Sequence, residues 1–134
     1  EGNPIDVYNY GRMKRDFTYV DDLVKALIML IDVAPRNEDQ KPVSAVDTVS
    51  PVAPHRLVNI GNSSPVDLSE FISAIEQATG KSATRNLMPI QPGDVPTTWA
   101  DSSLLKELTG YTPRTSIRDG VAHFVDWYRE FYEV

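Results

Sequence analysis

The 134-residue chain contains no cysteine, so neither a disulfide framework nor a thiolate metal site can form within it. Histidine occurs twice, at His55 and His123, too few and too poorly supported by spaced acids to specify a metal site. Long apolar runs are also missing. The longest, ALIMLI at residues 26–31, falls far short of the ~20 residues that cross a bilayer. The seven glycines, at positions 2, 11, 61, 80, 93, 110 and 120, form neither a GxGxxG turn nor a P-loop. Positive charge is in the minority, with 13 Lys and Arg against 19 Asp and Glu and a net charge of −6. That balance argues against nucleic acid or an anionic membrane as the main partner. No secretory leader pattern is visible, and a cytoplasmic protein is the default expectation.

What remains is an acidic chain with 41% hydrophobic residues, long enough for one compact core. EGNPIDVYNY lacks an initiator Met and enters a strand-like pattern at once, so the chain reads as a piece of a longer protein. IDVYNY (5–10) alternates apolar and polar side chains as a half-buried strand does, and RDFTYV (15–20) reads as a second strand. Asp21 or Asp22 suits the N-cap of a helix over about 22–33, whose nearly all-round apolar surface predicts burial on more than one side. Residues 34–54, with Pro35, Pro42, Pro51 and Pro54, have no period and read as a Pro-rich loop. RLVNIG (56–61) predicts a short buried strand. Asp67 with Glu70 suggests an acidic capping box, with Val66 and Phe71 as its staple, for a helix ended at Gly80. An extended segment at 83–90 precedes the turn-rich QPGDVP (91–96). A short helix capped by Asp101 stops at Gly110, and Ser116 with Asp119 starts a last one. The fold class is α/β, with short strands and about four helices.

Arg12, Lys14 and Arg15 are the one dense basic cluster. Guanidinium groups at a strand start hold phosphate oxygens through charge-assisted bonds, whereas a generic basic triplet is more often a solvated turn. Arg15 is the better candidate of the three, because strand residues follow it and fix its direction. Tyr10 and Lys14 have the Tyr-x-x-x-Lys spacing of a general acid/base pair, but that pairing needs a helix and Gly11 interrupts one; we treat it as coincidence. Asp94 follows a glycine in a tight loop, where a carboxylate either accepts from a ribose diol or closes an Asx-turn.

The ordered series YNYG, MKRDFTYVDD, NIGN, QPGDV and GYTPRTSIRDG resembles the C-terminal part of NAD-dependent nucleotide-sugar epimerases and dehydratases, and most nearly UDP-glucuronate epimerases. These are extended short-chain dehydrogenases. The resemblance covers nearly all of residues 1–134 and implies one C-terminal substrate-binding lobe, with the NAD-binding Rossmann half and the catalytic residues lying upstream. It implies a UDP-sugar as the ligand, with Arg15 on the diphosphate, Asp94 on the ribose hydroxyls, Phe17 lining the same pocket and Tyr8 beside the uracil. Gln91 stands where many relatives have Arg; an amide hydrogen bond, Arg12 or Arg85 are the alternatives for making good that charge. The implied chemistry of the whole enzyme is epimerisation at C4 of UDP-glucuronate through a 4-keto intermediate. Dehydration or decarboxylation on the same scaffold, and a non-catalytic binding module, are the rivals. A homodimeric parent and self-association of the isolated chain complete the expectations.

Overall fold

The computed structural model describes residues 2–38 and 41–134. In chain order the elements are β1 (Ile5–Val7), a 3-10 turn (Tyr8–Gly11), β2 (Lys14–Arg15), α1 (Val20–Asp32), β3 (Val66–Asp67), α2 (Leu68–Thr79), β4 (Arg85–Leu87), α3 (Ser103–Thr109) and α4 (Ile117–Tyr132). They divide between two compact units, one built from Glu1–Phe17, Ser64–Trp99 and Thr115–Val134, the other from Thr18–Ser63 and Ala100–Arg114.

In the first unit, β1 pairs in parallel with β4, setting Ile5 opposite Arg85 and Val7 opposite Leu87. β2 pairs antiparallel with β3, Lys14 opposite Asp67 and Arg15 opposite Val66. The core lies between α2 and α4, where Ala74, Val121 and Val125 are buried and Phe71, Ala78 and Ile117 close around them. The Val121–Val125 spacing puts one narrow stripe of α4 inward. Phe124, Trp127, Tyr128 and Phe131 remain exposed and touch one another ring to ring along the helix.

The predicted strand at 5–10 ends early because Asn9 and Tyr10 take left-handed backbone angles, φ 50° and 55°. Asn9 offsets part of that strain by donating its amide to Arg12 O at 2.8 Å. The predicted helix at 66–80 is α2, stopped by Gly80 at φ 72° with its N–H on Glu76 O. Its expected capping box does not form as a hydrogen bond: Asp67 occupies the N-cap position without a side-chain cap, and the first helical amide, Leu68, donates to Met13 O at 2.8 Å. The β2–β3 ladder runs straight into the helix start and supplies the partner of that first amide. In α4 the cap is as expected, Ser116 accepting from Asp119 N–H.

The second unit packs α1 against α3. Ala26 and Leu105 are fully buried, and Leu104 and Pro113 are enclosed with them. Buried Ser102, the N-cap residue of α3, both accepts from Gly61 N–H and donates to Gly61 O. The predicted strand 15–20 stops at Arg15 and the helix begins at Val20, so neither Asp21 nor Asp22 is the N-cap; Tyr19 is, and both acids sit in the first turn. Asp22 instead accepts from Tyr111 Oη at 2.5 Å and from Arg114 N–H. Burial of α1 on several sides is not found. Leu23, Val24, Leu27, Ile28 and Ile31 are all exposed, because within this unit one face of the helix has α3 to pack on and the rest has water. The predicted strand 56–61 joins no ladder and takes no regular secondary structure.

The Pro-rich segment 34–54, of which residues 39 and 40 lie outside the described ones, is tied down rather than loose. Asp47, with a fully buried side chain, grips Arg56 in a bidentate pair at 2.8 and 3.1 Å and accepts the Val43 and Val49 amides. Arg56 also reaches Val33 O, just past the end of α1.

Candidate functional site

The site is assembled around β2, within the first unit. Backbone bonds run on both sides of Lys14: its N–H donates to Pro96 O at 2.8 Å, and its carbonyl accepts from Thr98 N–H at 3.2 Å. These bonds lay the QPGDVP segment alongside β2. The turn within that segment is closed by Asp94 N–H donating to Gln91 O at 3.1 Å, and Gly93 supplies the positive φ of 85° that the turn requires. A backbone bond therefore closes the turn, and the Asp94 carboxylate is directed elsewhere.

It faces Arg15. The guanidinium Nη2 lies 3.3 Å from Asp94 Oδ1, joining two residues 79 positions apart in sequence. Nη1 donates to Lys14 O at 2.9 Å and to Val95 O at 3.0 Å, with Pro96 O at 3.4 Å. Three backbone carbonyls thus aim the planar fork, and both side chains keep part of their surface in water, 26% for Arg15 and 34% for Asp94. A fixed guanidinium beside a carboxylate at a solvent-accessible surface offers bidentate donors to an anion and acceptors to hydroxyl groups.

Of the other candidates, Gln91 enters the same turn through its carbonyl and is exposed. Phe17 is not on a strand; it follows β2 and stacks on Phe71 with ring centroids 4.4 Å apart. Tyr8 lies in the 3-10 turn, half-buried, rather than on the strand the sequence suggested. The contacts described for Tyr8 and Phe17 do not include Arg15 or Asp94. Asp6 accepts from Asn86 Nδ2 at 2.8 Å, and Arg85 is engaged by Glu76 at 2.9 Å, which leaves it poorly placed to replace a guanidinium at Gln91. Lys14 pairs loosely with Asp67 at 3.7 Å. Tyr10 and Lys14 share no helix, in keeping with their spacing being coincidental. The carbonyls of Val95 and Pro96, which aim Arg15, were not legible beforehand, since backbone acceptors leave no trace in side-chain identity.

The fold belongs to a recognisable class. A family profile described as "GDP-mannose 4,6 dehydratase" matches residues 3–124, and the chain belongs to that family. It is 48% identical over 132 residues to a probable UDP-glucuronate 4-epimerase of Rhizobium meliloti (strain 1021), covering 98% of this chain and 39% of that protein. It is likewise 48% identical over 129 residues to protein CapI of Staphylococcus aureus, covering 96% of this chain and 39% of that one. Among solved structures, UDP-glucuronic acid 4-epimerase from Bacillus cereus, in complex with UDP-glucuronic acid and NAD, superposes with a TM-score of 0.72 at 27% identity. That match takes in 98% of this chain and 37% of the other. The chain thus spans about two-fifths of the length of the curated relatives it matches.

The glycine-rich turn that holds the NAD pyrophosphate has no counterpart in residues 1–134. A dinucleotide pyrophosphate sits on a glycine-rich strand-to-helix turn, and no two of the seven glycines stand two residues apart. Among the described residues no helix is long and apolar enough to cross a membrane.

Proposed function

We propose that this chain is the nucleotide-sugar-holding lobe of an NAD-dependent epimerase, with residues 1–134 corresponding to the C-terminal part of the whole protein. The ligand is a UDP-sugar, and the reaction of the whole protein interconverts UDP-glucuronate and its C4 epimer. The observation that carries this reading is the meeting of Arg15 and Asp94 on the carbonyl-lined edge of β2. Arg15 holds the diphosphate through its fork, and Asp94 accepts from the ribose hydroxyls. Tyr8 supplies aromatic surface beside the uracil, Phe17 lines the same pocket as Arg15, and Gln91 supplies a neutral amide where the family resemblance implies an Arg in many members. NAD binds to residues outside this chain, as do the groups that act on the sugar, so the isolated chain binds without turning over.

The reading is tested by incubating the full-length protein with UDP-glucuronate and following the sugar by NMR. Appearance of the C4 epimer with all six carbons retained is the expected result. Loss of carbon dioxide or water would assign the protein to the decarboxylase or dehydratase branch, and no reaction in the presence of NAD would support a binding module. The same reading takes the whole protein as a homodimer.

A further inference from the structure

Under the proposed function, Arg15 and Asp94 serve two different parts of one ligand, yet in this structure they bind each other. The two ends of the guanidinium are held unequally. Nη1 has short bonds to the carbonyls of Lys14 and Val95, at 2.9 and 3.0 Å, both fixed by the backbone. Nη2 has the 3.3 Å contact with Asp94, longer than the ~2.7–2.9 Å of a well-formed charge-assisted bond. The Nη1 edge is therefore anchored, and the Nη2 edge is the more weakly held of the two. Asp94 sits on a turn closed by its own N–H and aimed by Gly93, so its carboxylate can leave Nη2 without undoing the turn.

We infer that Arg15 and Asp94 form an exchangeable pair that couples binding of an anion to binding of a vicinal diol. An anion that takes Nη2 releases the carboxylate to accept from two hydroxyls. A diol that takes the carboxylate releases Nη2 to the anion. Either group alone leaves one member of the pair without its partner, whereas a ligand carrying both satisfies the two together. The two moieties therefore bind with positive cooperativity, and linkage makes the effect reciprocal. This rests on the nucleotide-sugar reading and deepens it: the site selects for a phosphorylated nucleoside over its separate halves. A partly exposed ion pair is weak, which sets the coupling at about two- to fivefold.

The test is calorimetric titration of the full-length protein with uridine, with and without saturating inorganic pyrophosphate. Pyrophosphate is expected to tighten uridine binding about two- to fivefold, and uridine to tighten pyrophosphate by the same factor. In Asp94→Asn the coupling is expected to vanish while pyrophosphate alone binds more tightly than to the wild type. Equal uridine affinity with and without pyrophosphate overturns the inference, as does coupling that survives in Asp94→Asn. The underlying nucleotide reading fails separately: if Arg15→Ala leaves affinity for UDP unchanged, both are overturned, whereas weakened UDP binding without coupling overturns the exchange alone.

Discussion

Arg56 and Asp47 form the most enclosed ion pair described in the chain, with 7% and 0% of their side-chain surfaces exposed. The Arg56 hydrogen bonds, helped by the Val43 and Val49 amides, hold the Asp47 carboxyl below its ordinary 3.8. A lowered folded value means that ionised Asp47 stabilises the fold. That contribution is complete above the unfolded value and is lost as pH falls through the folded one, so part of the acid unfolding below about pH 4 belongs to this residue. Asp47→Ala should lower stability by about 3 kcal/mol, because it strands a buried guanidinium, and should flatten the acid limb of a denaturant-midpoint series. Tyr111 gives the opposite limb. Burial first, and then its bond to Asp22, push the phenol up to about 12. Its raised folded value stabilises the fold below pH ~10, and the benefit disappears between pH ~10 and 12. In Tyr111→Phe that alkaline loss should be missing, at a cost of about 1 kcal/mol at neutral pH; an unchanged alkaline profile would contradict the role given to the phenol. The Asp22–Tyr111 pair was not legible from local pattern, since the two residues are 89 positions apart.

At the scale of elements, the helix ends were more legible than the extents of the strands: β1 and β4 lie inside the expected 5–10 and 83–90 segments but cover only three residues of each. Gly80 and Gly110 mark the ends of α2 and α3 because each needs a left-handed φ, 72° and 71°, that other residues reach at a cost. Ser116 marks the start of α4 through a local hydrogen bond. Such signals are contained within a few residues and can be read directly. Strand extent depends on a partner elsewhere. Residues 56–61 have the composition of a strand and no ladder, while β1 is shortened by two non-glycine residues at positive φ, of which Asn9 is a type that visits this region and Tyr10 is not. The parallel pairing of β1 with β4 joins residues 80 positions apart and was equally invisible. The site shows the same division. Arg15 and Asp94 were each identified as candidates, but their pairing depends on QPGDVP running beside β2, which is a tertiary fact.

For the whole molecule, the decisive quantity is surface. α1 exposes Leu23, Val24, Leu27, Ile28 and Ile31, and α4 exposes Phe124, Trp127, Tyr128 and Phe131. Contiguous apolar surface of this kind on a chain spanning about two-fifths of its relatives' length favours association with other apolar surface. The isolated chain should therefore self-associate, with light scattering giving a mass that rises above one chain as concentration increases; a constant monomer mass would contradict this.

The function proposed here turns on Arg15 taking hold of the diphosphate. The most direct measurement is the calorimetric affinity of the full-length protein for UDP-glucuronate, compared between the wild type and Arg15→Ala. Loss of a charge-assisted hydrogen bond predicts weakening by about 1.5–3 kcal/mol, roughly ten- to hundredfold in Kd. An affinity unchanged within error would place the guanidinium away from the phosphates and contradict the proposed site.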